Sequence, residues 1–523
     1  MSKKQRLELM WIGKGEKDNP RLEPRILIED PERSYGDKDT ENILIHGDNL
    51  LALKALEQDY AGKVKCIYID PPYNTGNAFE HYDDGLEHSE WLNLMSIRLR
   101  LLYKLLSTDG VLFINIDEIE HAYLKVLLDE IFGRKNFIGD LIWKKRKGGG
   151  NDSRFIALDH DYILVYVKCS DKEIHKKKWR VSYEIEYLQR YKEVDDTGRY
   201  YWDTLARDGL QNPIKIVIKC PDGSVLNINS QKSKETILGG IKAGTIRLTQ
   251  VKGKWTLHHK VYMPEGKVLR SILDDHGTNK IAGDELRVLF RDNDFDYPKP
   301  EKLIQTLLEL NTKHGDIVLD SFLGSGTTAA VAHKMGRNWI GVELGEHCNT
   351  HCVPRLQKVI DGTDQGGISK AVDWQGGGGF RYYTLAPSLL KKDSNDRWVI
   401  SEEYNAEQLA AAMAKQEGFK YYPDETVYWK QGYSTETDFI YTTTQFLTVD
   451  IIDKIHEEMK PEESLLITCK AFQDACVKRH SNITVKKIPH VLLGRCEFGK
   501  DDYSLNIINV PVVDSEDEEE EDC

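Results

Sequence analysis

The sequence predicts an α/β fold: a largely parallel sheet flanked by helices and interrupted by a basic, β-rich insert. From Glu41 to Trp143, apolar runs of strand length alternate with segments that have apolar residues at helical spacing. After Trp143 the alternation stops and Lys, Gly and aromatic residues become frequent; it returns near Lys299. One sheet is therefore split in sequence by an insertion.

The first half of the sheet begins with ENILIHGDNLLALKAL, which predicts a strand, a turn at Gly47-Asp48 and a helix. GKVKCIYID predicts the second strand. EWLNLMSIRLRLLYKLL, from Glu90, has apolar residues at helical spacing, and GVLFINID, from Gly110, predicts the third strand.

The insert contains short alternating stretches such as PIKIVIKCPDGSVLNI, in which Asp222-Gly223 predicts a hairpin turn. Beyond it, PEKLIQTLLELNTKHG predicts a helix, DIVLDSFLGSG a strand that runs into a glycine turn, TTAAVAHKMG a helix and RNWIGVEL a strand. These elements complete the sheet.

Composition indicates a reduced, cytoplasmic protein of several domains. The chain has 523 residues and nine scattered cysteines, and it contains no apolar stretch of the roughly 20 residues that a membrane span needs. The net charge of −14 conceals a surplus of about eleven positive charges between Ile142 and Arg270, which begins with Lys144, Lys145, Arg146 and Lys147 and favours contact with nucleic acid. The acidic run DSEDEEEED, from Asp514, predicts a disordered tail.

The second predicted strand ends in Asp70-Pro71-Pro72-Tyr73. Two prolines stop the strand and stiffen the backbone, so a carboxylate and a carbonyl lie beside an aromatic ring. Together these acceptors can hold both N–H bonds of an exocyclic amino group, while the ring stacks on the heterocycle that carries it. Such a clamp would aim the nitrogen lone pair at an incoming methyl group, and orientation and electrostatics would supply most of the rate enhancement.

The stretch DSFLGSGTT, from Asp320, predicts a strand that opens through glycines into a helix. Gly324 and Gly326 let the backbone approach a ligand closely. No Gly-Lys-Ser/Thr follows, which excludes a phosphate-binding P-loop. Glu343 ends the next strand, about 17 residues beyond Gly326, where a carboxylate can hold a ribose diol. These features favour a nucleoside ligand without a pyrophosphate, although an ordinary tight turn also explains the glycines.

Taken together, these motifs resemble those of amino-group DNA methyltransferases of the β class, in which DPPY precedes the F-x-G-x-G loop, here Phe322 to Gly326. More narrowly, the chain resembles the Mod subunit of type III restriction-modification systems. The stretches that carry the resemblance are HGDNLLALKAL, DPPYNTG, WLNLMSIRLRLL, GVLFINID, HDYILVYVK, YPKPEKLI, DSFLGSGTTAAVAHKMGRNWIGVEL and GGISKAVDWQGGGGFRYYTL. It implies a Rossmann-like class I methyltransferase fold with circularly permuted motif order.

The resemblance implies S-adenosyl-L-methionine as cofactor, bound by Asp320, Phe322, Gly324, Gly326 and Thr327, with Glu343 on the ribose. It places Asp48 near the cofactor adenine and Lys299 beside the methionine end. Asp70, Pro71, Pro72 and Tyr73 are the implied catalytic residues. A plain turn acid at position 48 and a surface lysine at position 299 remain alternatives. His347-Cys348 and His351-Cys352 offer soft ligands, but we predict no metal.

Asp rather than Ser at the start of the DPPY motif is usual for N6-adenine methylation in this family, so N4-cytosine methylation is the less favoured product. Reaching a base in duplex DNA requires flipping it out, which contacts from the basic insert would support. The resemblance further implies a homodimer and a helicase-nuclease partner. Three alternatives stay open: a solitary or defence-associated enzyme, a recognition subunit that mainly recruits the nuclease, and methylation of protein or RNA.

Six segments are predicted: an N-terminal arm (1–39), the catalytic half of the core (40–145), a target-recognition insert (146–275), the cofactor-binding half (276–385), a mixed α/β C-terminal domain (386–510) and the acidic tail (511–523).

Overall fold

The computed structural model describes residues 8–14, 22–74, 88–148, 155–171, 173–174, 179–183, 185–205, 212–251, 253–290, 295, 297–490, 492, 496 and 498–499. The predicted acidic tail lies outside these residues. The chain forms two compact units, one of Met1–Lys178 with Arg270–Cys523 and the other of Trp179–Leu269.

In chain order the strands of the first half are β1 (Leu27–Gly36), β2 (Ile43–His46), β3 (Val64–Ile69), β4 (Leu106–Ile116), β5 (Phe137–Lys144), β6 (His160–Val167), β7 (Glu193–Asp195), β8 (Gly198–Thr204), β9 (Ile214–Lys219), β10 (Val225–Ser230), β11 (Ile246–Val251) and β12 (Lys254–Tyr262). The remaining strands are β13 (Ile272–Leu273), β14 (Ile317–Asp320), β15 (Asn338–Glu343), β16 (Gly379–Leu385), β17 (Leu390–Lys392), β18 (Trp398–Ile400), β19 (Lys420–Tyr421), β20 (Gly432–Thr435), β21 (Asp438–Leu447), β22 (Ser464–Phe472) and β23 (Ile483–Lys487).

The helices are α1 (Asn49–Tyr60), α2 (His88–Leu105), α3 (Glu118–Leu128), α4 (Ile185–Leu188), α5 (Lys234–Lys242), α6 (Asn279–Leu289), α7 (Glu301–Asn311), α8 (Thr327–Lys334), α9 (Val353–Ile360), α10 (Ala406–Glu417) and α11 (Val449–Glu458). Two wide π-helical turns, Asp129–Gly133 and Cys348–Cys352, and two short 3-10 turns, Arg134–Asn136 and Asp474–Cys476, join them.

The larger unit is built on a ten-stranded sheet with the order β1-β16-β2-β15-β14-β3-β4-β6-β5-β13. The six strands from β16 to β4 are parallel to one another, whereas β6 is antiparallel to both β4 and β5. The central strands are short apolar runs that are buried, as is usual for a parallel sheet covered on both faces. The predicted α/β class is confirmed.

The strand order reverses between β3 and β14. From β3 the chain continues through α2 to β4, on one side, and from β14 it continues through α8 to β15, on the other. Ligands of open α/β sheets bind at the carboxyl ends of strands at such a switch point. The DPPY motif follows β3 and the glycine turn follows β14, so the two motifs meet there although they lie about 250 residues apart in sequence.

Two of the predicted segments contribute strands to the central sheet. The predicted insert, 146–275, includes β6, whose buried run pairs with β4 and β5, and β13, which pairs with β5. The predicted N-terminal arm, 1–39, includes β1, which pairs with β16 at the sheet edge. β1 and β6 pair antiparallel with their neighbours, and antiparallel strands need no helix between them, so the alternation of helix and strand does not reveal these two strands.

The smaller unit, Trp179–Leu269, has a core of its own. It contains the antiparallel sheet β11-β12-β8-β7 and the hairpin of β9 and β10, in which the turn predicted at Asp222-Gly223 is confirmed. Its ends are joined by an antiparallel bridge, in which the backbone N–H groups of Val181 and Lys267 each donate to the other residue's carbonyl. The buried apolar side chains of this core are Leu205, Ile216, Ile218, Ile228, Ile237, Ile246 and Leu257.

The C-terminal part contains the hairpin of β17 and β18 and a five-stranded mixed sheet with the order β19-β20-β21-β22-β23. Helix α11 connects the parallel strands β21 and β22. Across the described parts of the chain, every helix is too short or too polar to cross a membrane.

Candidate active site

The backbone of the DPPY motif is anchored on both sides. The buried indole of Trp91 donates from Nε1 to the Pro72 carbonyl at 2.8 Å. Asn74, directly after the motif, has a left-handed φ of 61°, and its Nδ2 donates to Glu120 Oε1 at 2.7 Å. Asparagine tolerates this conformation better than most residues. The motif is therefore held rigidly where it leaves β3.

The Asp70 carboxylate is surrounded by donors. The Tyr73 hydroxyl donates to Oδ1 at 2.9 Å, and the ammonium of Lys299 pairs with Oδ2. Asn115, the second-last residue of β4, places Nδ2 against the Tyr73 hydroxyl and 3.4 Å from Asp70 Oδ1. The ammonium of Lys299 also lies 5.3 Å from the centre of the Tyr73 ring. Lys299, predicted beside the cofactor, thus contacts the Asp70 carboxylate directly.

A second carboxylate lies on the other side of Tyr73. Asp161, in β6, is buried, and its Oδ2 is 3.3 Å from the Tyr73 hydroxyl. Its Oδ1 accepts from the ammonium of Lys145 at 2.6 Å. Burial, followed by the charges of Asp161 and Asp70, raises the pKa of Tyr73 well above its usual value, so the hydroxyl keeps its proton.

The glycine turn after β14 is tightly packed. The backbone N–H of Phe322 donates to Asp320 Oδ1 at 3.0 Å, and the Gly324 carbonyl accepts from the Cys352 thiol at 3.0 Å. Gly326 has φ +80°, and a Cβ there would lie 3.4 Å from the Cys352 Cα. Because burial raises the pKa of Asp320 to about 7, this carboxyl is poised to gain charge when a cationic group binds beside it.

Glu343, at the end of β15, is buried and organises the same turn. Its Oε2 accepts from the Gly324 N–H at 2.6 Å, and its Oε1 lies 2.9 Å from His347 Nε2. Burial alone would raise the pKa of Glu343, but the hydrogen bonds from His347, Gly345 and Gly324 outweigh it, so the pKa is lowered and the group stays ionised.

Two further predicted cofactor residues have structural partners. Asp48 Oδ1 caps α1 by accepting from the N–H groups of Leu50 and Leu51 at 2.8 and 3.1 Å, and its Oδ2 accepts from Arg98 at 3.3 Å. The Thr327 hydroxyl accepts from Arg355 at 2.8 Å.

Three buried polar atoms near the strand ends have no hydrogen-bond partner among the described residues: the Tyr68 hydroxyl, Asn115 Oδ1 and Ser321 Oγ. Unpaired buried polar atoms are uncommon in folded proteins, and a bound ligand or an ordered water is the usual source of the missing partner. They belong to β3, β4 and the turn after β14. Burial, followed by the charges of Asp70 and Asp320, raises the pKa of Tyr68 well above its usual value.

β3 and β14 are neighbouring parallel strands, so the DPPY motif and the glycine turn follow them at the same edge of the sheet. Phe322 belongs to the apolar core of the larger unit, and Tyr73 packs against that core. The four residues of the basic run differ in exposure. Arg146 and Lys147 are exposed, Lys144 is half-buried, and Lys145 is paired with Asp161. In the insert, Tyr191 and Tyr200 are buried, whereas Tyr187 is exposed and stacks on Tyr183 with ring centres 4.4 Å apart.

Sequence reasoning missed Asn115, Asp161 and His347 as members of the site. Asn115 and the pair of β6 residues His160-Asp161 are polar residues at strand ends, a signal that could have identified the first two. The segment His347–Cys352, which offers soft ligands in the sequence, contacts the glycine turn: His347 pairs with Glu343, and the Cys352 thiol donates to the Gly324 carbonyl.

A DPPY motif after β3 and a glycine turn after β14, both at the switch point of a mostly parallel sheet, are together typical of class I methyltransferases. The model of the N6_N4_Mtase family, described as DNA methylase, matches residues 64–351, more than half of the chain. The chain belongs to this DNA methylase family.

Among its relatives, the probable type III restriction-modification enzyme HindVI Mod subunit of Haemophilus influenzae is 36% identical over 438 residues, which cover 69% of this chain and 57% of that protein. The StyLTI Mod subunit of Salmonella typhimurium is 32% identical over 340 residues, 56% of this chain and 50% of that protein. The chain thus spans little more than half the length of these relatives. A putative DNA modification methylase from Thermus thermophilus, solved with S-adenosyl-L-methionine, is 16% identical, with a TM-score of 0.33 over 65% of this chain and 97% of that one.

Proposed function

We propose that the protein transfers a methyl group from S-adenosyl-L-methionine to the N6 amino group of adenine in duplex DNA, after the base has been flipped out. The observation that carries this proposal is that the DPPY motif and the glycine turn follow the neighbouring parallel strands β3 and β14 at the switch point of the sheet. Membership of the DNA methylase family supports it. Asp at the first position of the motif favours adenine over cytosine.

The residues of the DPPY motif would bind and orient the target base. Asp70 and the Pro71 carbonyl accept the two N–H bonds of the amine, and the Tyr73 ring stacks on the base. Hydrogen bonds to both N–H groups turn the nitrogen lone pair away from the ring. Because Trp91 and Asn74 hold this backbone in place, little reorganisation is needed at the moment of transfer.

The residues of the glycine turn fit the cofactor. Asp320 would face a cationic group, Phe322 and Gly324 would form the wall, and Glu343 would accept from the ribose hydroxyls. The unpaired Ser321 hydroxyl and Tyr68 hydroxyl offer further hydrogen bonds. When bound, the cofactor supplies an electrophilic methyl group on a sulfonium centre.

The wider system follows from the Mod relatives. We infer that the chain binds double-stranded DNA in the cytoplasm, partly through the exposed Arg146 and Lys147 and the basic insert. A homodimer and an ATP-dependent restriction subunit are the inferred partners, since the named relatives are Mod subunits of type III systems. Co-expression with a candidate restriction subunit tests the latter: a stable complex supports the type III assignment, and separate elution favours a solitary enzyme.

Methyl transfer is tested with labelled cofactor and separate DNA, RNA and protein pools, followed by long-read sequencing of the DNA. We expect label in DNA and N6-methyladenine at one short sequence. Asp70→Ala should lower transfer by at least about a thousandfold and leave cofactor affinity within about threefold, because the acceptor is lost while the glycine turn is intact. Label in RNA or protein alone would contradict the proposal.

Gly324→Asp should instead abolish cofactor binding in equilibrium dialysis. The new carboxylate would lie beside Glu343, whose Oε2 is 2.6 Å from the Gly324 nitrogen, at a backbone φ of +57°. Gly62→Asp is the matched control, since Gly62 also has a positive φ but a Cβ there would meet nothing within 4 Å. Cofactor binding by Gly324→Asp equal to that of Gly62→Asp would refute the assigned cofactor site.

A further inference from the structure

The hydroxyl of Tyr73 lies between two carboxylates. It is 2.9 Å from Asp70 Oδ1 and 3.3 Å from Asp161 Oδ2, so either oxygen can accept its hydrogen. A phenol has one proton, which means that the two hydrogen bonds exclude each other. Asn115 Nδ2 donates to the phenol oxygen and leaves this choice open.

The hydrogen bond from Tyr73 to Asp70 competes with the proposed substrate. Lys299 already pairs with Oδ2 of Asp70, so Oδ1 is the less crowded acceptor for the amine of a target base. While Tyr73 donates to Oδ1, that oxygen is partly blocked. Turning the hydroxyl hydrogen toward Asp161 frees it, and no heavy atom has to move because both distances are already within hydrogen-bond range.

Asp161 is built to accept this hydrogen. Its side chain is 3% exposed, and Lys145 donates to its other oxygen at 2.6 Å. The charge-assisted hydrogen bond from Lys145 fixes the orientation of this carboxylate. Asp161 lies in β6, and Lys145 directly follows β5. Neither of these strands is a neighbour of β3 in the sheet.

We propose that Asp161, held by Lys145, is a positioning residue that takes over the hydrogen bond of the Tyr73 hydroxyl when the target amine binds to Asp70. The inference rests on the proposed function and deepens it. Asp161 acts through Tyr73 and does not contact the base. Lys145, assigned from the sequence to DNA contact, acts in the same pair.

A double-mutant cycle tests the inference. Asp161→Asn should lower kcat about tenfold with DNA KM and cofactor Kd within about threefold of wild type, because its amide can donate to the phenol and keep the hydroxyl hydrogen on Asp70. Tyr73→Phe retains the ring and removes the competing hydrogen, so it should keep a measurable kcat, which is the reference for the second half of the cycle. In the Tyr73→Phe background, Asp161→Asn should then change kcat by less than about twofold.

Asp450→Asn, at an exposed position in α11, is the control for the chemical change. Lys145→Met should reproduce the effect of Asp161→Asn and lose it likewise in the Tyr73→Phe background. An equal loss of kcat from Asp161→Asn in both backgrounds would show a purely structural role and overturn the inference, and so would an inactive Tyr73→Phe. Absence of transfer by the wild-type protein would instead refute the proposed function.

Discussion

The buried carboxyl of Asp320 makes the stability of the folded protein depend on pH. Its pKa is raised to about 7 by burial, with contributions from the charges of Asp70 and Glu343, against an ordinary value of 3.8. Between these two values the folded protein holds a proton that the unfolded chain has lost. The folded state is therefore destabilised progressively as pH rises from about 4 to about 7, and the full cost applies above pH 7.

We expect Asp320→Asn to remove this cost. The free energy of unfolding of the cofactor-free variant, relative to wild type, should rise by up to about 4 kcal/mol between pH 4 and pH 8. Urea unfolding at both pH values measures it. Asp450→Asn should show no comparable change, since that carboxyl is exposed. A difference between Asp320→Asn and wild type that is the same at both pH values would contradict the raised pKa.

At the scale of the elements, the start of α1 joins a helix cap to the proposed cofactor site. Asp48 caps the helix and pairs with the buried Arg98, and Arg98 also donates to Asn49. Removing the carboxylate would leave a helix N-terminus without its cap and a buried guanidinium without one of its partners. Both effects destabilise the fold independently of any ligand.

Asp48→Ala should therefore lower the free energy of unfolding by about 2–4 kcal/mol, measured in urea. Asp48→Asn keeps an oxygen for the Leu50 and Leu51 N–H groups and should lose about half as much. Cofactor affinity of the Asn variant separates the two roles. A large loss of affinity with stability retained would establish a direct contact between Asp48 and the cofactor, whereas affinity near wild type leaves Asp48 as the cap.

The sequence was sufficient to predict the strands that end in functional turns. β3 and β14 are apolar runs that stop at Asp70 and near Gly324, and this local pattern locates both motifs. The place of β1 and β6 in the central sheet was not predicted, because their pairing is antiparallel and leaves no helical segment as a marker. The contact between Tyr73 and Asp161 spans 88 residues, so no spacing rule could reveal it.

The roles of charged side chains also depend on where the fold places them. Lys144 to Lys147 form one basic run in the sequence, yet Lys145 is paired with Asp161 while Arg146 is exposed. Likewise, Glu343 and His347 are four residues apart and meet because β15 ends and the chain turns between them. Which member of a polar run serves the site depends on the direction of each side chain, which composition does not contain.

At the scale of the whole molecule, the smaller unit, Trp179–Leu269, is a segment that we expect can be removed from the chain without unfolding the larger unit. Trp179–Leu269 has its own apolar core, and the bridge between Val181 and Lys267 brings its two ends together. Replacing this unit by a short Gly/Ser linker therefore closes a small gap in the chain. The central sheet keeps all of its ten strands, since none of them lies within Trp179–Leu269.

We expect the protein without residues 179–269 to bind cofactor with an affinity within about threefold of the full chain, because every proposed cofactor residue lies in the larger unit. Its affinity for duplex DNA should fall at least about a hundredfold, and the dependence of log affinity on log salt concentration should become shallower, as lysine and arginine contacts to phosphates are lost. Lys215→Gln with Lys219→Gln, on the exposed face of β9, is the milder companion variant and should reduce the salt dependence without affecting the fold. Unchanged DNA affinity after excision would place recognition in the larger unit, and loss of cofactor binding in a folded excision variant would show that the cofactor site depends on the insert.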